Sequence, residues 1–196
     1  IFIVKNILSF MQDINLFKTH DSLHFKEVSR KDEVSKNDSC DGYLIKTNEK
    51  EVRRIVESLK GSSKLLAIYG GDDFFNRRIV ETMKIDYLVS PEAGEKRDTL
   101  KQRDSGINHV VAKEASKRKI VILVSMNEVS KLSGKARARR MSRIMQNIKI
   151  CRKANCQIKI ASMGSEISGV FDVIGRRTFG LSLGMSSVQS RDATEF

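Results

Sequence analysis

At 196 residues the chain is long enough for one sizeable domain, and 40% hydrophobic residues with 12 glycines and one proline describe a globular composition, not a disordered or fibrous one. The net charge of +12, from 36 Lys and Arg against 24 Asp and Glu, points to a polyanionic partner. No apolar run reaches membrane-span length and no leader ends in a small-residue cleavage site, so a soluble, cytoplasmic protein without a membrane partner is expected.

Cys40, Cys151 and Cys156 are odd in number and contain no Cys-x-x-Cys pair, which argues against a disulfide framework and a cysteine zinc site. The chain opens on Ile1, not Met, which points to a processed or trimmed start.

Residues 1–41 are the least legible part of what reads as a single domain over 1–196. Phe10 to Phe17 is a candidate first strand and Leu23 to Val28 a second, followed by a polar surface loop from Arg30 to Asp41. From there the rhythm is regular. Gly42 to Lys46 reads as a strand, Asn48 as an N-cap, and Val52, Ile55, Val56 and Leu59 as the apolar stripe of a helix that stops at Gly61. Leu65 to Tyr69 is the next strand. Phe74 to Met83 is a helix with Ile79, Val80 and Met83 inward, and Tyr87 to Ser90 a strand. A long loop runs from Pro91 to Ile107. Asn108 to Lys119 reads as a helix, Ile120 to Val124 as a strand, Lys135 to Asn155 as a long helix, Gln157 to Ala161 as a strand and Val170 to Leu183 as a last helix. This alternation demands a mostly parallel sheet with helical crossovers, and periodicity leaves open whether the sheet closes into a barrel.

Polar and basic residues recur just beyond the short apolar runs, where α/β folds gather functional groups. Ile68-Tyr-Gly-Gly-Asp-Asp-Phe-Phe-Asn-Arg-Arg78 is one such run and Gln102-Arg-Asp-Ser-Gly-Ile-Asn-His-Val-Val-Ala-Lys113 another. Gly70-Gly71 matches neither a dinucleotide fingerprint nor a P-loop, and Asp72 or Asp73 is placed to cap the following helix. In the second run two readings stand side by side. In one, Asp104 or Ser105 caps a helix, Arg103 pairs with an acid and His109 packs on a neighbour; in the other, Arg103 and His109 touch a ligand while Asp104 orients them.

These two runs resemble the protein component 3 family of archaeal ribonuclease P, which also supplies a subunit of the eukaryotic enzyme. The resemblance covers about Gly42 to Leu183 and is sharpest from Ile68 to Val124. It implies a TIM-like (β/α) barrel, here shortened or distorted. It also implies a subunit of the ribonucleoprotein endonuclease that removes the 5′ leader of precursor tRNA. On that reading the catalytic RNA holds the Mg²⁺ ions, the protein binds no cofactor or metal and contributes no catalytic residue, and its partners are the catalytic RNA, precursor tRNA, component 2 and other ribonuclease P proteins.

Charge distribution agrees with an RNA partner. From Val129 to Ser165 there are ten Lys or Arg and no Asp or Glu, where the average acid content would place about four or five. In the long helix Met141, Ile144, Met145, Ile148 and Cys151 form an apolar stripe, and Arg139, Arg140 and Arg143 are read as the opposite face, flanked by Lys149 and Lys153. The expected RNA contacts are therefore Arg77, Arg97, Arg103, His109, Lys113, Arg139, Arg140, Arg143, Lys153, Arg176 and Arg177. Gly70, Gly71, Asp72, Asn76, Asp104, Ser105 and Gly106 form the expected loop-organising set. With 6% aromatic residues and no Trp, phosphate and shape recognition is expected over base stacking.

Two alternatives compete. One is an autonomous metal-dependent barrel phosphoesterase of the polymerase-and-histidinol-phosphatase type. His20, Asp21 and His24 have a spacing that could hold a metal on a helix, but three histidines in the whole chain are too few for a multi-metal site of that kind. The other is a general RNA-binding module, which accounts for the charge but not for the two matched runs.

Overall fold

The computed structural model describes residues 13–94, 98 and 103–196. Seven strands run parallel and pair in chain order: β1 Asp13–Asn15, β2 Ser22–Val28, β3 Gly42–Ile45, β4 Leu65–Tyr69, β5 Tyr87–Val89, β6 Val121–Ser125 and β7 Ile158–Ala161. Parallel neighbours require a return crossover. Helices supply it from β3 onward: α1 Glu49–Ser58, α2 Asp73–Thr82, α3 His109–Lys117, α4 Met126–Ser130, α5 Gly134–Ala154, then α6 Val173–Ser182 and α7 Ser187–Asp192 after the last strand.

From β3 to β6 the strands are buried on both faces, which is why they read as near-continuous apolar runs. One side chain from each strand turns inward to a shared layer: Ile14, Phe25, Leu44, Ala67, Val89, Leu123 and Ala161. The alternate residues, among them Ile45, Ile68, Leu88, Ile122, Val124 and Ile160, pack outward against Val52, Ile55, Ile79, Val111, Ile144 and Ile148 of the helices. This is a TIM-like barrel with seven strands.

Closure happens between β7 and β1, and it is incomplete. Just past β7, the Met163 amide donates to the Ile14 carbonyl at 2.8 Å and the Leu16 amide to the Gly164 carbonyl at 2.8 Å. Lower on β7 the Ile160 amide finds no β1 residue and donates to Ala193 of the C-terminal segment, at 2.7 Å. Side chains fill the rest of the seam. The Asp13 carboxylate accepts from the Ser162 and Ile14 amides at 2.8 Å each, and Asn15 accepts from Gly164. Arg176 of α6 is 1% exposed, ion-pairs with Asp13 at 3.4 Å and donates to the carbonyls of Phe171, Ile160 and Thr194.

Local signals place most boundaries. Asn48 caps α1 by accepting from the Glu51 amide, Asp72 caps α2 through Phe75, and Asn108 caps α3 through Val110 and Val111. Asn108 therefore takes the role expected of Asp104 or Ser105. The last long helix starts at Val173 behind an Asp172 cap, three residues later than periodicity suggests. Two short helices, α4 and α7, went unanticipated because five and six residues carry too little periodicity to register. The polar stretch after β2 contains no α-helix. It is held by Tyr43, whose hydroxyl lies 2.6 Å from both the Ser35 carbonyl and the Asp38 carboxylate, and by Lys64, which donates to the Asp38 and Cys40 carbonyls.

Candidate nucleic-acid interface at the barrel mouth

The C-terminal ends of the strands open into a mouth, and the described parts of the loop from β5 to α3, residues 90–94, 98 and 103–108, form one wall of it. That loop is held in place from two sides. Asn76 on α2 is fully buried and accepts from the Gly71 amide at 2.8 Å while donating to the Gly71 and Gly106 carbonyls at 3.1 and 2.9 Å. Gly106 has φ +76°, and a Cβ there would lie 1.9 Å from the Pro91 carbonyl oxygen, so glycine is the residue the crossing allows. On the other side, Asn147 and Gln146 of α5 donate to the Ser105 carbonyl and hydroxyl. Asp104 gives its amide to Asp98 at 3.0 Å, and Arg103 donates to the Ser142 carbonyl at 3.3 Å and pairs with no acid among the described residues.

Arg143 is the centre of this clamp, which corrects the reading of the long helix. It is 3% exposed, bonds Asp98 at 2.7 Å and donates to the Gly94 and Glu92 carbonyls at 2.6 and 3.2 Å. Burial raises the Asp98 carboxyl, but the Arg143 guanidinium and the Asp104 amide outweigh it and hold the group below the usual carboxylate range. Arg140, Arg143, Asn147 and Cys151 recur at three- and four-residue spacing and so lie along the inward side of α5. Arg139 alone of the three arginines is exposed. Arg176, also expected at RNA, is buried in the β7–β1 seam. Neither Arg143 nor Arg176 can present its guanidinium to an external phosphate.

Most of the other expected contacts among the described residues reach the surface. His109 and Lys113 lie exposed on the first turns of α3, and Lys153 is exposed near the end of α5. Arg77 pairs with Glu81 at 2.7 Å and Arg177 with Glu195 at 3.2 Å. Arg97 lies outside the described residues. Of the acid-free stretch, Lys131, Lys135, Lys149 and Lys153 are exposed and form no ion pair among the described residues. Arg137 and Arg152 keep exposed positions while donating to the Ser130 and Gly184 carbonyls.

The mouth also holds a charged group that strand-end reasoning could have found and did not. Lys46 follows β3, Tyr69 ends β4, Glu92 follows β5 and Glu128 follows β6. The Lys46 ammonium sits 4.5 Å over the Tyr69 ring, and the Tyr69 hydroxyl donates to Glu128 at 3.0 Å. Burial, then the Glu128 charge, pushes the Tyr69 hydroxyl well above its ordinary range, so it stays a donor. Arg140 stands 3.4 Å from Glu128 and 4.0 Å from Glu92. Glu92 is 1% exposed, and apart from the approach of its own amide neither oxygen accepts a hydrogen bond from the described residues. Burial pushes its carboxyl up to about 7, helped by Glu128 and opposed by Arg140 and Arg143.

Beside these groups lies a cavity of about 180 Å³ lined by Lys46, Tyr69, Ser125, Asn127, Glu128 and Lys131 among others. A larger groove of about 500 Å³ lies at the opposite end of the barrel, between the ends of α1 and α2. Its Asp86 accepts from the Leu66 amide and its Lys64 is spent on carbonyls, so it has no buried polar group waiting for a partner. His20 pairs with the adjacent Asp21 on the surface, and among the described residues no three His, Cys, Asp or Glu side chains converge on one point.

Residues 27–195 match the family model described as RNase P subunit p30. The chain belongs to the RNase P subunit p30 family. Among relatives of this family, "Ribonuclease P protein component 3" of Methanocaldococcus jannaschii is 30% identical over 139 residues, covering 70% of this chain and 57% of that protein. The protein of the same name from Methanococcus vannielii is 26% identical over 127 residues, covering 65% of this chain and 52% of its own length. The chain thus spans about half the length of the curated p30-family relatives it matches. A chain from a solved structure titled "cryo-EM structure of archaeal Ribonuclease P with mature tRNA" superposes with a TM-score of 0.72 at 21% identity, covering 92% of this chain and 85% of that one, which shows a shared fold.

Proposed function

We propose that the chain acts as a protein subunit of ribonuclease P, the endonuclease that matures the 5′ end of tRNA, and that it does so by neutralising and ordering the catalytic RNA. The family match over residues 27–195 carries this reading. The exposed lysines of α5, unpaired among the described residues, support it, because an acid-free cationic face releases counterions when it meets phosphates. The chain's own contribution is electrostatic and positional. Lys131, Lys135, Lys149 and Lys153, with Lys113 on the neighbouring helix, offer point charges to the backbone and His109 a ring nitrogen, while Arg143 and Asn76 pin Glu92, Gly94 and Gly106 beside them. Mg²⁺ held by the catalytic RNA supplies the hydrolytic chemistry in this reading, with component 2 and other ribonuclease P proteins as protein partners in the cytoplasm.

Reconstitution tests it. The chain is expected to raise single-turnover cleavage of precursor tRNA by the catalytic RNA, further so with component 2 present, and to bind that RNA with a steep inverse salt dependence. Cleavage of precursor tRNA by the chain without RNA would favour the autonomous phosphoesterase instead.

A further inference from the structure

Arg140 and Arg143 are one helical turn apart on α5 and are held very differently. Arg143 makes charge-assisted contacts of 2.7 Å to Asp98 and 2.6 Å to the Gly94 carbonyl, which is full-strength geometry. Arg140 reaches Glu128 at 3.4 Å and Glu92 at 4.0 Å, both longer than such bonds prefer, and part of its side chain meets solvent. Two carboxylates share one cation that neither holds tightly.

The environment of Glu92 makes that arrangement consequential. A buried carboxylate without a donor is rare and calls for an explanation. The groups facing it are Arg140 and Arg143 from α5, Glu128 from α4 and Tyr69 from β4. Arg143 is committed to Asp98 and the Tyr69 hydroxyl donates its hydrogen bond to Glu128, which leaves Arg140 as the only loosely held cation among these groups. When Arg140 swings outward, Glu128 keeps the Tyr69 hydroxyl and its access to water. Glu92 keeps neither, and only its own amide and the already committed Arg143 still oppose its burial, so departure of Arg140 favours proton uptake.

We propose that Arg140 is a phosphate-contacting arginine released from Glu92 and Glu128 on RNA binding, and that Glu92 accepts a proton from solvent as the arginine leaves, which makes anion binding at the barrel mouth proton-coupled. This rests on the RNA-binding reading. The direction agrees with the chemistry: burial already places the Glu92 carboxyl near neutrality, and withdrawing the cation that opposes this raises it further. Glu92 is here a positioning residue, since it acts through Arg140 and touches no ligand.

Affinity for the catalytic RNA, measured between about pH 6 and pH 8.5 at fixed ionic strength, tests the coupling. The wild-type chain is expected to weaken above about pH 7 by up to about tenfold per pH unit, as uptake of one proton requires. Glu92→Gln, which is isosteric and uncharged, is expected to remove that component and to bind at about pH 8 as tightly as wild type does at about pH 6. The difference between the two proteins isolates the Glu92 component. Arg140→Met is the second variant, expected to bind more weakly and to lose the same pH component. Equal pH slopes in wild type and Glu92→Gln, with RNA binding intact, overturn this proposal alone. Absence of salt-dependent RNA binding at every pH overturns the RNA-binding reading and this proposal with it.

Discussion

The seam between β7 and β1 and the mouth above the strands both bury charge, but only the seam satisfies it. At the seam, Asp13 receives two backbone amides and the Arg176 guanidinium, and Arg176 is further spent on three carbonyls. At the mouth, Glu92 accepts no hydrogen bond from the described residues beyond the approach of its own amide, and its nearest cation stands 4.0 Å away and is shared. The difference separates charge used to close a barrel from charge held in reserve. A fully bonded buried pair has no capacity left for a ligand, whereas an under-bonded one is costly until something changes its protonation or its partner.

The sharpest way to break the comparison is at the seam. Arg176→Ala leaves Asp13 buried without its cation and opens the joint between β7, β1 and the C-terminal segment, so chemical denaturation should show a loss of about 3–5 kcal/mol. A loss under about 1 kcal/mol would mean that the seam is held by its backbone bonds alone.

Arg143→Ala comes next. It leaves Asp98 with the Asp104 amide but no guanidinium and removes the donor from the Glu92 and Gly94 carbonyls, and should cost about 2–4 kcal/mol. Hydrogen exchange should quicken at residues 92–94 and at the Asp104 amide more than in the strands, because those are the groups that the arginine and its Asp98 partner hold.

Glu92→Gln should have the opposite sign. The folded protein binds a proton at Glu92 that the unfolded chain, titrating near 4.5, has already released, so stability falls as pH rises from about 4.5 through about 7. The variant should therefore match wild type below about pH 4.5 and exceed it at about pH 8 by up to roughly 3 kcal/mol, read from thermal melts across pH. An unchanged difference at all pH values would show that Glu92 carries no folding-linked proton.

The smallest stability effect belongs to the exposed face. Changing Lys135, Lys149 and Lys153 together to Ala should move stability by no more than about 0.5 kcal/mol each, yet lower the salt slope of RNA binding by roughly one per lost phosphate contact. An unchanged slope would move the interface to the rim around His109 and Lys113.

The succession of strands and helices, most of the apolar runs and two of the helix caps were legible because each depends on neighbours in the chain. Asn48 and Asp72 cap their helices within three residues, and Leu65 to Tyr69 is a strand by its own composition. The site was legible only in part. Gly70, Asn76 and Gly106 stand out as motif, and the structure joins Asn76 to Gly106 across thirty residues of chain. The arginine face was misread at Arg143, and at the inward side of Arg140, because charge was taken as evidence of exposure. Arg140 and Arg143 share their side of α5 with Asn147 and Cys151, and an arginine goes inward when a carboxylate such as Asp98 waits there.

Sequence by itself determined the (β/α) alternation, the acid-free charge of residues 129–165 and the family, since all three are written in residue order and composition. Tertiary structure decided which charges are available. Asp13 meets Arg176, Asp98 meets Arg143, and Glu92 and Glu128 share Arg140, each pairing brought about by barrel closure or loop packing between residues far apart in the chain. Burial and partner distance separate a structural cation from a binding one, and both are properties of the folded contact, not of the residue.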